Sequence, residues 1–108
     1  MNVMPLTDEF AVTAQIAADD VSAIADAGYK SIICNRPDDE ASDQPAFDTI
    51  KAAAEAAGLA TAYIPVIGMP TPEQVTEMAG VLKSLPQPVL AYCRSGNRSS
   101  IIFNAAQG

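Results

Sequence analysis

The chain contains no histidine. That absence removes every Ser-His and Cys-His dyad that the polypeptide would otherwise assemble by itself. Cysteine is scarce, with two in 108 residues. Two thiolates without imidazole partners cannot complete a structural zinc tetrahedron, so no metal site is expected. Nor do two cysteines make a disulfide framework. Basic residues are also few: six Lys and Arg stand against thirteen Asp and Glu, a formal charge of −7. Such a surface repels phosphate backbones and anionic lipids, which argues against nucleic-acid or membrane partners. No apolar run approaches the roughly 20 residues of a membrane span. Residues 1–15 lack the basic start and the long apolar stretch of a secretory signal, so a cytoplasmic location is expected. What remains is chemistry run by cysteine, arginine, carboxylates or backbone amides, with no cofactor implied.

Apolar residues make up 49% of the chain, the composition of a folded protein rather than a disordered one. The length suits one domain over residues 1–108. Twenty alanines point to a thin core of small side chains. The apolar pattern predicts a strand over Phe10–Gln15, a helix over Asp19–Ala27 stopped by Gly28, and a buried strand over Lys30–Cys34. Asn35–Pro45 is polar, acidic and proline-containing, hence a loop. A second helix over Ala46–Ala57, capped by Gly58, leads to a strand over Leu59–Val66. Thr71, Pro72 and Gln74 carry the start signals of a third helix, with a capping box between Thr71 and Gln74. Pro86 and Pro88 end it, a strand follows over Pro88–Cys93, and a short last helix is expected over Ser99–Ala106. Strands alternating with helices imply a three-layer α/β fold, with a mainly parallel sheet of four to five strands flanked by helices. The shortness of the last helix is compatible with a homodimer.

The run Cys93-Arg94-Ser95-Gly96-Asn97-Arg98-Ser99-Ser100 lies between a buried strand and a helix. In parallel α/β sheets, ligands bind beyond the carboxyl ends of the strands. A glycine-containing loop entering a helix aims several N–H groups at one point and forms an anion nest. A cysteine at the start of that nest is biased towards thiolate, and two of the chain's three arginines flank it. Cys93 is therefore the candidate nucleophile. Arg98 is the candidate for bidentate binding of an anionic substrate, and Arg94 points outward or holds the loop. Gly96 supplies a backbone angle or a close approach that a side chain would block. Ser95 and Asn97 complete the binding loop, and Ser99 either stabilises the sulfur anion or caps the helix. The plain alternative to all of this is a strand-turn-helix corner with a buried cysteine.

This loop resembles the persulfide-carrying loop of rhodanese-type sulfurtransferases, and also the Cys-x5-Arg loop of cysteine-dependent phosphatases. Over nearly the whole chain the sequence is similar to the phosphatase-like domain of β-lactamase hydrolase-like proteins. That domain is also described as a sulfurtransferase and is often fused to a metallo-β-lactamase-fold persulfide dioxygenase. The matching islands are Asn35-Arg36-Pro37-Asp38 with Glu40, Gln44-Pro45, Ala57-Gly58-Leu59, Ile64-Pro65-Val66 and Leu90 to Gly96. The resemblance implies a cysteine-phosphatase-like fold and a small anionic substrate, either a sulfane donor or a phosphate ester. Arg36 either holds a neighbouring carboxylate in place or helps to bind substrate, and the resemblance lends it weight without fixing which.

Departures from the phosphatase pattern favour sulfur transfer. Arg98 comes one position early and Ser99 stands where the arginine is expected. Tyr92 replaces the histidine before the cysteine, and the loop Ile67-Gly68-Met69-Pro70 has no carboxylate to act as the acid. Thiolates leave without a proton, whereas loss of an alkoxide gains about 10²–10⁴-fold from general acid catalysis. The leading expectation is thus a sulfurtransferase with a Cys93 persulfide, and the alternative a phosphatase with a phosphocysteine. A non-catalytic oxyanion-binding module is the third reading. One of Asp38, Asp39 and Glu40, which follow the strand ending at Cys34, is a candidate for the missing acid, against the plainer reading of a solvated acidic turn. Cys34 is a candidate resolving thiol, against the plainer reading of a small buried hydrophobe.

Overall fold

The computed structural model describes residues 1–107. One sheet is built from β1 (Met4–Thr7), β2 (Phe10–Thr13), β3 (Ser31–Cys34), β4 (Ala60–Tyr63) and β5 (Val89–Tyr92), in spatial order β1-β2-β5-β3-β4. β2, β5, β3 and β4 run parallel, and β1 is an antiparallel edge strand paired with β2. Among the described residues four α-helices flank the sheet: α1 (Val21–Asp26), α2 (Phe47–Ala56), α3 (Pro72–Ser84) and α4 (Asn97–Gln107). The mainly parallel α/β architecture read from the sequence is therefore present.

The central strands β2, β3 and β5 are buried at every position, as sheets covered on both faces require. Side-chain alternation divides the core. Ala11, Ile32, Cys34, Leu90 and Tyr92 face Val21 and Ile24 of α1 and Phe47, Ile50 and Ala54 of α2. Phe10, Val12, Ile33, Val89 and Ala91 face Met78 of α3 and Ile102 and Phe103 of α4. The Phe10 and Phe103 rings stack with centroids 3.9 Å apart. α3 starts as read: the Thr71 hydroxyl accepts from the Gln74 N–H at 3.1 Å, and the Gln74 carboxamide accepts from the Thr71 N–H at 3.0 Å.

Several elements differ from the sequence reading, and β4 is shorter than the strand read over Leu59–Val66. β1 was not expected, because an exposed edge strand carrying Pro5 shows no apolar alternation. α4 begins at Asn97, two residues before Ser99, which brings Arg98 into its first turn. A short 3₁₀ turn, Ala18–Asp20, also precedes α1.

The parallel register aligns Thr13, Tyr92, Cys34 and Tyr63 as the last residues of four adjacent strands. The loops that follow them gather at one edge of the sheet. Buried Asn35 ties that edge together. Its N–H donates to the Tyr92 carbonyl at 2.8 Å, its carboxamide N–H₂ donates to the Ile64 carbonyl at 3.0 Å, and its carbonyl accepts from the Val66 N–H at 3.0 Å.

Candidate active site

Cys93 is the first residue beyond β5, and α4 starts four residues later. The intervening loop lies against β2: the Cys93 N–H donates to the Thr13 carbonyl at 3.4 Å, and the Arg94 carbonyl accepts from the Gln15 N–H at 3.4 Å. Gly96 has φ +93°, and a Cβ there would sit 3.5 Å from the Thr13 backbone. The left-handed angle is the requirement that selects glycine. It turns the Gly96 N–H back onto the Cys93 sulfur at 3.0 Å.

Cys93 is 0% exposed. Burial pushes its thiol upward, yet the backbone N–H groups of Ser99 and Ser95, the Ser99 hydroxyl and the Gly96 N–H together draw it below its ordinary value. The Gly96 N–H is thus bonded to the sulfur, and the Ser95 and Ser99 N–H groups favour its anion from the same loop. The Ser99 hydroxyl is buried and lacks a well-aligned hydrogen bond, so it is held where it favours the sulfur anion without being fully engaged. Ser95 Oγ accepts from the Asn97 N–H at 3.3 Å, and Ser100 Oγ donates to the Gly96 carbonyl at 3.0 Å. These bonds brace the loop without facing the sulfur. The Arg94 side chain is exposed and makes no side-chain hydrogen bond or ion pair among the described residues.

Arg98 swings from the first turn of α4 across the same edge. Its guanidinium donates from Nη1 to Glu40 Oε2 and from Nη2 to Glu40 Oε1, both at 2.7 Å, and from Nη1 to the Val66 carbonyl at 2.8 Å. It also interacts with the Cys93 sulfur. Arg36, only 6% exposed, holds the same carboxylate: Nε donates to Glu40 Oε1 at 3.0 Å and Nη1 donates to Gln15 Oε1 at 3.0 Å. Caught mainly by Arg98 and further by Arg36, the Glu40 carboxyl falls to about 2. A cleft of about 430 Å³ opens beside this cluster, lined by Gln15, Arg36, Glu40, Asp43, Gln44 and Arg94 among others.

The three carboxylates of the acidic run have separate fates. Asp38 Oδ1 accepts from the Phe47 N–H at 2.8 Å and so caps α2 from outside the helix. Asp39 sits in the left-handed region at φ 62° and is exposed. Neither carboxylate bonds to Arg98 or to the Cys93 loop among the described residues, so the structure does not bring the sequence-nominated acids Asp38 and Asp39 to the sulfur. Glu40 is the member that reaches the site. Gln15 and the Val66 carbonyl also join it, and nothing in the local sequence around Cys93 pointed to them. The pairing of Asn35-Arg36 with Glu40, an i,i+4 spacing from Arg36, was the available signal for Glu40.

Cys34 and Cys93 are both free thiols. The Cys34 thiol donates to the Arg36 carbonyl at 3.2 Å and packs with Tyr92 on the α1–α2 side of the sheet. The Cys93 sulfur instead turns into its own loop, where it accepts from the Gly96 N–H. Cys34 thus fits the buried-hydrophobe reading better than that of a resolving thiol. The Ile67–Pro70 loop carries Ile67 and Met69, 83% and 69% exposed, beside the Val66 carbonyl that holds Arg98. No helix is long and apolar enough to cross a membrane among the described residues.

Residues 2–108 match the family described as beta-lactamase hydrolase-like protein, phosphatase-like domain. A beta-lactamase hydrolase-like protein of Xylella fastidiosa is 34% identical over 104 residues, covering 95% of this chain. The chain spans only 24% of that relative's length. The crystal structure of a candidate phosphatase from Neisseria meningitidis superposes with a TM-score of 0.88 at 35% identity, over 95% of this chain and 74% of that one. Kinase-associated phosphatase, at 15% identity and a TM-score of 0.73 over 91% of this chain and 66% of its own, shares the fold. The sheet order, the loop from Cys93 into α4 and the match across residues 2–108 agree: the chain belongs to the phosphatase-like domain family of beta-lactamase hydrolase-like proteins.

Proposed function

We propose that the domain is a cysteine-dependent phosphomonoester hydrolase. The observation that carries this reading is the convergence of the Ser95, Gly96 and Ser99 N–H groups on the Cys93 sulfur, with the Arg98 guanidinium beside it. Sequence alone ranked sulfur transfer first. The family and its structural neighbours favour the phosphatase alternative instead. In the proposed reaction the Cys93 thiolate attacks phosphorus, the ester P–O bond breaks, and the leaving oxygen takes its proton from water. Water then attacks the phosphocysteine, releasing inorganic phosphate and restoring the thiolate. The loop amides and Arg98 stabilise the charge that develops on the equatorial oxygens.

The carboxylates near the site bear on substrate choice. Glu40 is held ionised and Asp38 is engaged at α2, so a poor leaving group finds no ready proton. Aryl phosphates, whose aryloxides leave more easily, are therefore favoured over alkyl phosphates. The same observation is the one that favours a second reading, sulfur transfer through a Cys93 persulfide, because a thiolate leaving group needs no acid. Steady-state assays with an aryl phosphate, an alkyl phosphate and thiosulfate, each with Cys93→Ser as control, decide between them. Cys93-dependent aryl phosphate turnover well above thiosulfate turnover is expected. Cys93-dependent turnover of thiosulfate alone would replace the phosphatase reading with sulfur transfer.

A further inference from the structure

Glu40 occupies the position on Arg98 that an incoming oxyanion needs. A carboxylate presents two coplanar oxygens, and both terminal guanidinium nitrogens donate to them at 2.7 Å. That fork geometry is the one by which arginine grips phosphate, sulfate or carboxylate ligands. With the bond from Nη1 to the Val66 carbonyl, both hydrogens of Nη1 and one of the two on Nη2 are engaged. Glu40 is itself held from behind by the buried Arg36, which Gln15 fixes in turn. Meanwhile the Cys93 sulfur below has 0% exposure although its loop is formed and its N–H donors point the right way. Reactive geometry without access is what a covered site looks like.

We infer that Glu40 is an internal stand-in for the substrate's oxyanion, a latch that keeps the free domain's anion site closed until a ligand offering two oxygens displaces it from Arg98. The inference rests on the reading that the Cys93–Arg98 loop binds an oxyanion. It adds to that reading a selectivity rule. Tetrahedral oxyanions compete for the arginine fork and open the site, whereas neutral thiol reagents and monatomic anions do not. The opposite role is a passive one, in which Glu40 merely holds Arg98 in position. The two roles predict opposite signs when the carboxylate is removed.

The test uses inorganic phosphate as the probe. Alkylation of Cys93 by iodoacetamide is followed by peptide mass, at a pH where the rate has reached its plateau, so that it reports access rather than ionisation. Cys34, with its thiol pushed up to about 11, stays silent at that pH. In Glu40→Gln and Glu40→Ala, Cys93 should react faster than in the wild type. Phosphate should protect it at concentrations lower by about tenfold, the equivalent of one charge-assisted hydrogen bond. Protection at unchanged or higher phosphate concentration overturns the latch and leaves the anion site standing. No protection in any of the three proteins overturns the anion site and the latch together. A second measurement needs no variant, should either one fail to fold. In a crystal structure of the wild type with phosphate in the Cys93 loop, the Glu40 carboxylate should have left Arg98. Phosphate bound there with both 2.7 Å contacts intact refutes the latch.

Discussion

Cys34 and Cys93 stand at the ends of neighbouring parallel strands, and Cys34 pairs in register with the residue just before Cys93. They are buried alike, at 2% and 0% exposure. Their thiols nevertheless move in opposite directions. Burial drives Cys34 up to about 11, and its hydrogen bonds with the Tyr92 side chain and the Arg36 backbone only partly offset that. Cys93 suffers the same loss of solvent, but three backbone N–H groups and a hydroxyl turn the balance the other way. At Cys34 burial outweighs the few donors and keeps the thiol protonated, whereas at Cys93 a set of N–H donors rewards the anion. Position at the active edge of an α/β sheet therefore does not make a cysteine reactive. The direction of the backbone around it does.

The largest expected effect breaks the comparison outright. Cys93→Ser should lower turnover of an aryl phosphate by about a thousandfold or more, the scale of losing a covalent nucleophile. Cys34→Ser keeps a hydroxyl donor for the Arg36 carbonyl and should leave turnover within about twofold, as expected for a group that touches neither substrate nor sulfur. Comparable losses in the two variants, measured by kcat/KM, would remove the distinction between a reactive and a structural thiol.

The reactive member of the pair was legible in sequence because its cause is local. Strand, cysteine, glycine loop and helix follow one another within Val89–Gln107, and the arginines lie inside the same run. The fold was legible for a similar reason: uninterrupted apolar runs at β2, β3 and β5 and the Thr71–Gln74 cap each speak through neighbouring residues. What escaped depends on long-range placement. Glu40 meets Arg98 across 58 positions, and only the crossover of β4 and α3 brings them together. Asp38 and Asp39 look equivalent to Glu40 in sequence, but the start of α2 draws Asp38 away through the Phe47 N–H. β1 escaped because its pairing partner, not its own pattern, defines it.

A smaller perturbation weakens the loop without deleting the nucleophile. Gly96→Ala places a side chain at φ +93°, where an L-residue is strained by about 1–2 kcal/mol. Relief of that strain rotates the residue 96 N–H away from the sulfur. Loss of one hydrogen bond to a charged group is worth about 1.5 kcal/mol, so Cys93 alkylation at neutral pH should slow by about tenfold. The pH at which alkylation reaches half its plateau should rise, while Cys34 is unaffected. An unchanged midpoint would mean that Gly96 serves loop packing and not the thiolate.

A further effect falls on stability rather than turnover, and its sign separates the two thiols. Cys93 has a lowered folded value, so below the unfolded thiol value near 9 the unfolded state carries more protons. Stability therefore rises with pH from the folded Cys93 value up to about 9 and is lost as pH falls back through the folded value. Cys34 has a raised folded value, so between about 9 and 11 the folded state carries the extra proton. Stability falls across that window, by at most about 2–3 kcal/mol for a shift of this size. Urea unfolding from pH 6 to 11 should give a curve whose rising limb disappears in Cys93→Ser and whose falling limb flattens in Cys34→Ser. Other alkaline groups are common to all three proteins and cancel in the differences. If both substitutions flattened the same limb, the two thiols would share one environment, and the opposition between an N–H nest and burial with few donors would lose its basis.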